Sequence, residues 1–227
     1  MSSPVPVLKK SPTQISIRRI PRSELPEDTI ELSRFLIGKV VVHDLSAGRV
    51  SGRIVETEAY PPGDPAGHHF RGPTPRIRSM YLTPGHVYVF FNYGNHFMLN
   101  VVSEPAQTAA AILIRALEPL EGIEIMQRHR KTTVLHDLTR GPGRLAQALQ
   151  IDRRHDGVDL CSDEKLWLGE INHPVGPTGK SVRIGITRAA DKLLRFFERG
   201  NPFVSGPKRL LHPSLRRRRS RTRSAKS

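Results

Sequence analysis

The chain has 227 residues, which is long enough for one domain with a sizeable hydrophobic core. It carries 36 Lys and Arg against 21 Asp and Glu, a net charge of +15, which favours a polyanionic partner, nucleic acid ahead of an acidic membrane. Its single cysteine, Cys161, excludes an intramolecular disulfide and a zinc site made from several cysteines.

The beginning of the chain has no signal-peptide pattern, and no apolar run approaches the roughly 20 residues of a membrane span. We therefore expect a soluble, intracellular protein without membrane contact, in the cytoplasm or nucleoid of a bacterium or the nucleus of a eukaryote.

The two ends of the chain are basic and lack hydrophobic periodicity. Residues 1–22 are rich in Pro, Ser, Lys and Arg and are predicted as a disordered arm before a domain at residues 23–206. Residues 207–227 are predicted as a disordered, Arg-rich tail, with nine Lys and Arg and no acidic residue from Lys208 onward. The tail could clamp DNA through its phosphates or, through residues 216–219, act as a nuclear address, and the sequence favours neither.

The region between the two ends mixes helical and strand patterns without a regular βαβ repeat. Hydrophobic spacing and turn residues predict helices over residues 25–36, 119–130 and 142–150, and strands over residues 39–44, 49–59, 85–91, 97–102, 109–117, 182–186 and 193–198. Residues 61–75, dense in Pro, Gly and His, are predicted as a loop. The pattern is typical of a single mixed α+β domain with a curved, mostly antiparallel sheet and a protruding β-hairpin.

The strand at residues 49–59 ends with two carboxylates. Because side chains alternate along a strand, Val55, Thr57 and Ala59 are expected on one face and Glu56 and Glu58 on the other. A pair of carboxylates beside a Pro- and Gly-rich loop is well placed for a site, but the pattern alone does not distinguish one glutamate from the other.

Four segments, in this order, resemble the alkyladenine, or 3-methyladenine, DNA glycosylases: residues 52–60 (GRIVETEAY), 88–100 (YVFFNYGNHFMLN), 114–122 (IRALEPLEG) and 141–149 (GPGRLAQAL). The resemblance extends over about residues 25–205. It implies an enzyme that flips alkylated or deaminated purines out of duplex DNA and hydrolyses the N-glycosidic bond, leaving an abasic site. It further implies double-stranded DNA containing damaged purines as the partner. No sequence feature calls for a metal, a cofactor or an oligomer, so we expect a monomer without either, and because no lysine matches a catalytic position we expect no lyase activity.

The resemblance assigns the chemistry to Glu58 and Arg115. Breaking an N-glycosidic bond develops positive charge on the sugar, and a carboxylate can stabilise that charge and deprotonate a water. Glu58 matches the catalytic glutamate, while Glu56 is expected to be a surface or salt-bridged carboxylate. Arg115 would contact the catalytic water and the sugar-phosphate and favour the ionised form of Glu58. The backbone carbonyl of Ile184 would also hold the water.

The resemblance also implies a pocket for the flipped base. Tyr60, His68 and Phe90 would form it, with aromatic faces against the base and an imidazole at its edge. Phe90 replaces a tyrosine that most relatives have, so a hydroxyl is lost. His69 adjoins His68, and a shift of one residue would exchange their roles.

Two further residues complete the expected site. Asn100 would screen purines by disfavouring the amino group of guanine, and Tyr93, at the hairpin tip, would enter the base stack as a wedge. Arg71, Arg76 and Arg78 are expected to meet phosphates. The alternative is a non-catalytic nucleic-acid-binding module, which would have no use for a carboxylate in a basic groove.

Overall fold

The computed structural model describes residues 15–92 and 94–211. These residues form one domain in which nine strands make a single sheet and α-helices pack on it, so the predicted α+β class is confirmed. In chain order the elements are β1 (Arg18–Arg19), α1 (Thr29–Phe35), β2 (Val40–Leu45), β3 (Gly48–Tyr60), β4 (Val87–Asn92), β5 (His96–Val102), β6 (Ala111–Glu121), α2 (Ile123–Arg130), α3 (His136–Thr139), α4 (Pro142–Ala148), β7 (Leu166–Glu170), β8 (Thr178–Ser181) and β9 (Arg195–Glu198).

The long strand β3 lies at the centre of the sheet. The order is β1-β7-β2-β3-β6-β5-β4, and the strand pairs are antiparallel. One edge of β3 pairs with β6, while its other edge pairs with β2 near its beginning and with β9 at residues 56–58. The end of β3 that carries Glu56 and Glu58 is therefore enclosed between β6 and β9.

The pairing of β3 with β6 is irregular near these glutamates. Ile54 pairs with Leu117 and Glu56 with Ala116, so Val55 is an extra residue on β3. The next pair joins Thr57 to Ile114, so Arg115 is an extra residue on β6. Such bulges bend a strand and redirect side chains.

The bulge corrects the predicted alternation on β3. Ile54 and Ala59 belong to the main core, whereas Val55 packs in a separate cluster with Phe197. Val55 and Ala59 therefore do not share one continuous apolar face, because the extra residue shifts the side-chain pattern between them.

The main core lies between the sheet and the helices. Leu32 of α1, Met126 of α2 and Leu145 of α4 are fully buried and belong to the same apolar cluster as Ile54 and Ile114 of the sheet. Burial of this apolar surface is the dominant favourable contribution to folding. It also holds β3 in place, because Ile54 and Ala59 of this strand belong to the core.

Strands β4 and β5 pair as the predicted hairpin, from Val87 opposite Val101 to Asn92 opposite His96. Alternation along β4 places Val87 and Val89 in the main core. On the opposite face Tyr88 and Phe90 join a second cluster with Met80, which comes from a 3₁₀ helix at Pro75–Tyr81.

Two predicted helices begin later than expected. The first begins at Thr29, because Asp28 caps it by accepting hydrogen bonds from the N–H groups of Ile30 and Glu31. The second begins at Ile123, because residues 119–121 continue β6 and Gly122 then turns the chain with φ 70°.

Other predictions need correction. Residues 182–186 do not form the predicted strand. The strand in this region is β8, which ends at Ser181, directly before them. The predicted loop at residues 61–75 contains a 3₁₀ helix at His68–Arg71. Strands β1 and β7 and helix α3 were not anticipated: Arg18–Arg19 pairs with β7, although residues 1–22 were expected to be an arm. Most of the predicted tail, residues 212–227, lies outside the described residues.

Candidate active site

A cavity of about 260 Å³ opens beside the end of β3. Its walls come from β3, β4, β5, β6, the residues around His68 and the irregular segment 184–186. The wall residues that matter for the site are aromatic, amide or cationic: Tyr60, His68, Tyr88, Phe90, Asn100 and Arg115. The structure thus brings five of the predicted site residues together in one cavity wall.

Glu58 lies directly behind this wall and is fully buried. Its Oε1 accepts a hydrogen bond of 2.7 Å from the N–H of Ile184, and its Oε2 accepts one of 3.0 Å from the hydroxyl of Tyr60. Arg115 Nη1 lies 3.2 Å from the same Oε2. All three contacts come from residues that line the cavity, so the carboxylate is held in a fixed orientation next to it.

Burial raises the pKa of Glu58 above the ordinary value for a glutamate. Arg115 and the N–H of Ile184 oppose this shift because both favour the ionised carboxylate, whereas the negative charge of Glu56 adds to it. The hydrogen bond from Tyr60 also lowers the pKa. The groups that favour the ionised carboxylate are thus the same residues that line the cavity, and a general base must be ionised before it can accept a proton.

Glu56 is also fully buried, but its surroundings differ from those of Glu58. Its Oε1 accepts hydrogen bonds of 2.8 Å from Arg115 Nε and 2.7 Å from Arg195 Nε, and its Oε2 accepts one of 2.6 Å from the N–H of Ser205. None of these contacts except Arg115 belongs to the cavity wall. Glu56 is therefore a salt-bridged carboxylate, one of the two alternatives expected for it, and it lies in the interior and not at the surface.

Arg115 reaches both glutamates because of the irregular pairing in β6 described above. Only 7% of its surface is exposed, and that part faces the cavity. Burial alone would lower its pKa, but Glu58 and Glu56 raise it, so the guanidinium remains charged.

Ile184 lies next to Glu58, as the resemblance implied, but the contact involves its N–H group. The predicted role of its carbonyl in holding a water stays a prediction.

The two adjacent histidines occupy different environments. His68 lines the cavity, shares a hydrogen bond of 2.8 Å through Nδ1 with the hydroxyl of Tyr88, and packs edge-on against Phe90 at 4.5 Å between ring centroids. Burial lowers the pKa of His68, with a further contribution from the charge of Arg76, which favours a neutral ring at neutral pH. His69 is buried and donates from Nε2 to the carbonyl of Pro61.

The remaining wall residues are held by the β4–β5 hairpin. Tyr88 and Phe90 stack at 5.5 Å between ring centroids with an angle of 27°. Asn100 is buried and donates from Nδ2 to the carbonyl of Tyr88 at 3.0 Å. Tyr93, the predicted wedge, lies outside the described residues.

Sequence reasoning overlooked Tyr88 and Arg195. Tyr88 lies two residues before Phe90, so the period of a strand could have placed both in one wall. Arg195 is fully buried at the start of β9, directly before Phe196 and Phe197, and an arginine beside apolar strand residues could have been noticed as Arg115 was.

A second, open groove of about 520 Å³ adjoins the cavity and shares His68 with it. Its walls carry the cationic side chains of Arg71, Arg76 and Arg188, all exposed. Arg78, which was also expected to meet phosphates, is exposed nearby in sequence but does not line the groove. The entrance of the cavity is thus electropositive.

Within residues 15–92 and 94–211, no three His, Cys, Asp or Glu side chains lie close enough together to hold a metal ion. The helices of that same part of the chain are all too short or too polar to cross a membrane.

Comparisons with known proteins agree on one family. A family model described as methylpurine-DNA glycosylase matches residues 23–202. A protein of Mesorhizobium japonicum is 61% identical over 191 residues, which cover 84% of this chain and 92% of that protein. One of Paraburkholderia phytofirmans is 51% identical over 198 residues, covering 87% and 93%, and one of Chlorobium phaeovibrioides is 47% identical over 179 residues, covering 78% and 91%.

All three relatives carry names that contain the words 3-methyladenine DNA glycosylase. The family model extends over most of the chain and includes the residues around the cavity. The chain therefore belongs to the methylpurine-DNA glycosylase family.

Proposed function

We propose that the protein is a DNA glycosylase that hydrolyses the N-glycosidic bond of an alkylated or deaminated purine flipped out of duplex DNA. The observation that carries this proposal is the buried carboxylate of Glu58, held by Ile184, Tyr60 and Arg115 at the wall of an aromatic cavity. A protein that only bound phosphates would gain nothing from a buried anion beside its basic groove.

In the proposed reaction the flipped nucleotide enters the cavity and a water attacks C1′ of its sugar. The bond between C1′ and the purine nitrogen breaks, and its electron pair leaves with the base. The water proton passes to Glu58 as the new C–O bond forms, and the product is an abasic site. Arg115, 3.2 Å from Glu58, supports the ionised carboxylate before the reaction and would contact the sugar-phosphate.

The flipped purine would stack on the aromatic wall, which includes Tyr60, Tyr88 and Phe90. His68 lies at the edge of this wall, where its ring can exchange a hydrogen bond with the base. Phe90 keeps the stacking surface but has no hydroxyl. Asn100 would limit the space available to a guanine amino group.

The duplex itself would be held outside the cavity. Arg71, Arg76 and Arg188 in the adjoining groove suit the phosphates that flank the flipped nucleotide. We assign Tyr93 the role of the wedge that fills the gap in the base stack. A single chain provides both the cavity and the groove, so we propose that it acts as a monomer.

We infer further that the enzyme is monofunctional, because the cavity wall contains no lysine among the described residues to attack C1′ as an amine. The compared relatives come from bacteria, so we propose that the protein acts at the nucleoid. For the same reason we propose that the basic C-terminal segment contacts DNA and is not a nuclear address.

The decisive experiment uses duplex oligonucleotides that contain one hypoxanthine, 1,N⁶-ethenoadenine or 7-methylguanine. Wild-type protein should generate abasic sites, detected as strand breaks after alkali and not before it. Glu58→Gln should lower the single-turnover rate constant by at least ~10²-fold while retaining affinity for the lesion duplex. Glu164→Gln, at an exposed position outside the cavity wall, is the matched control. Undiminished excision by Glu58→Gln would refute the assignment.

A further inference from the structure

Arg183, the residue before Ile184, is buried and forms an ion pair inside the protein. Its Nη1 and Nη2 lie 2.5 Å and 3.1 Å from the two carboxylate oxygens of Asp64, and both side chains are fully inaccessible. The Nη1 group also donates to the carbonyl of Ala59 at 2.9 Å. The arginine thus connects residues 182–186 to two other parts of the chain. It binds Ala59 near the end of β3 and Asp64 in the loop that follows β3.

The same guanidinium supports Tyr60 from behind. Its central carbon lies 4.6 Å from the centroid of the Tyr60 ring, a distance typical of a cation–π contact. Tyr60 lines the cavity and Arg183 does not, so the arginine packs on the tyrosine from the protein interior.

Asp64 carries the connection onward to the loop that contains His68. Its Oδ1 accepts a hydrogen bond of 3.0 Å from the N–H of Ala66, and Ala66 itself lines the cavity. One buried pair therefore contacts the three separate segments that present Tyr60, His68 and Ile184.

Regular structure does not fix these segments relative to one another. Tyr60 pairs with Ala111 as the last residue of β3, His68 begins a short 3₁₀ helix, and residues 182–186 lie outside the strands. A buried ion pair is also an uncertain source of stability, since its replacement by apolar side chains is often neutral or favourable. Stability alone is therefore a weak reason for the Arg183–Asp64 pair.

We propose that Arg183, through its buried pair with Asp64, is a positioning residue that sets the relative placement of Tyr60, the His68 loop and Ile184 around the cavity. This inference rests on the proposed function for its effect on excision. The effect on Glu58 is indirect, because Asp64 neutralises the arginine, while Tyr60 and Ile184, which Arg183 positions, donate hydrogen bonds to Glu58.

The test compares two double variants of the full chain. Arg183→Met/Asp64→Asn removes both charges and retains an acceptor for the N–H of Ala66. The matched control is Arg53→Met/Glu198→Gln, because Arg53 Nη2 lies 2.6 Å from Glu198 in a second buried pair whose carboxylate also accepts a backbone N–H, from Gly176. Neither Arg53 nor Glu198 lines the cavity.

Hydrogen exchange of the free protein gives a readout that does not depend on activity. In Arg183→Met/Asp64→Asn, peptides covering residues 60–68 and 184–186 should exchange at least ~10-fold faster than in the wild type, and in the control they should not. Unchanged exchange in these peptides would overturn the proposal, whether or not the wild-type protein releases a base.

Single-turnover excision from an ethenoadenine duplex gives the second readout. We expect the rate constant to fall by ~10- to 10²-fold in Arg183→Met/Asp64→Asn, because small displacements of reacting groups have effects of this size. The acid limb of the pH profile should move to higher pH, because displaced Tyr60 and Ile184 donate weaker hydrogen bonds to Glu58 and so leave its pKa higher. An equal loss in the Arg53 control, or an acid limb that does not move, would contradict a positioning role.

Arg183→Lys addresses the case in which the double variant does not fold. A lysine keeps the charge opposite Asp64 but lacks the planar group that stacks on Tyr60 and binds Ala59. Excision should fall in this variant, and excision at the wild-type rate would overturn the proposal. A wild-type protein that excises none of the lesions would refute the proposed function alone, because the exchange measurement still decides the positioning role.

Discussion

Glu56 and Glu58 share the guanidinium of Arg115, whose Nε lies 2.8 Å from Oε1 of Glu56 and whose Nη1 lies 3.2 Å from Oε2 of Glu58. The two carboxylates have different remaining partners. Glu56 is bound by Arg195 and Ser205 in the interior, whereas Glu58 is bound by cavity residues. One arginine therefore connects a structural carboxylate to the proposed general base.

This division predicts unequal losses of stability for two substitutions of the same type. Glu56→Gln removes the charge that faces two buried arginines, so the free energy of unfolding should fall by roughly 3–5 kcal/mol. Glu58→Gln should lower it much less, because Arg115 retains Glu56 as its partner. Urea unfolding of both variants checks this, and equal destabilisation would contradict the distinction.

The pH dependence of excision should follow the ionisation of Glu58. Burial raises the pKa of this carboxyl group above its ordinary value of 4.5, and the reaction requires the ionised form. The single-turnover rate constant should therefore fall as the pH falls through that raised pKa, at a higher pH than an ordinary glutamate would produce. An acid limb at or below pH 4.5, measured on a neutral lesion such as hypoxanthine, would be inconsistent with Glu58 as the base.

Arg115→Lys should affect both the rate and the acid limb. One ammonium group cannot bind both glutamates as the guanidinium does, so we expect excision to fall at least ~10-fold. Arg115 lowers the pKa of Glu58, and a weaker contact should move the acid limb to higher pH. Arg195→Lys is the control, because Arg195 binds Glu56 without contacting Glu58, and its acid limb should not move.

Substitution of His68 should mainly lower excision, whereas substitution of the adjacent His69 should mainly lower stability. His68→Ala removes a cavity side chain that contacts Tyr88, so excision should fall about 10-fold with little loss of stability. His69→Ala removes a buried ring bonded to Pro61, so the free energy of unfolding should fall by about 1–3 kcal/mol. Thermal unfolding and excision assays on both variants check this, and the reverse pattern would exchange their assignments.

Truncation after Leu211 should weaken the salt dependence of binding. The removed residues 212–227 contain seven Lys and Arg, and each phosphate contact contributes about −0.9 to the slope of log K against log salt concentration. Binding of undamaged duplex should therefore show a shallower slope, with excision at saturating protein retained. An unaltered slope would mean that this segment does not contact DNA.

The sequence predicted much of the sheet because its strands alternate and end at turn residues. The β2–β3 and β4–β5 pairs and helix α4 lie close to the predicted positions. Strand β7, with the sequence LWLGE, was missed because it is short and contains a glycine. Residues 182–186 look like a strand because of their β-branched side chains, yet Ile184 donates its N–H to Glu58 and not to a neighbouring strand.

The site was less predictable than the sheet. The distinction between Glu56 and Glu58 depends on Arg195, Ser205 and Ile184, which lie more than 120 residues away in the chain. Spacing within one strand contains no information about such distant partners, so the resemblance to a family was needed to favour Glu58. The burial of Glu56 was not anticipated for the same reason.

The irregular pairing between β3 and β6 has a consequence for attempts to redesign this protein. Deleting Val55 and Arg115 together would remove both extra residues. The pairs that Glu56 forms with Ala116 and Thr57 forms with Ile114 would then follow one another without a bulge. A redesign guided by ideal strand geometry would choose that sequence and keep most of the apolar core. The result would be a well-paired scaffold without the cation that both carboxylates need, so regularity and chemistry are incompatible at this point of the sheet.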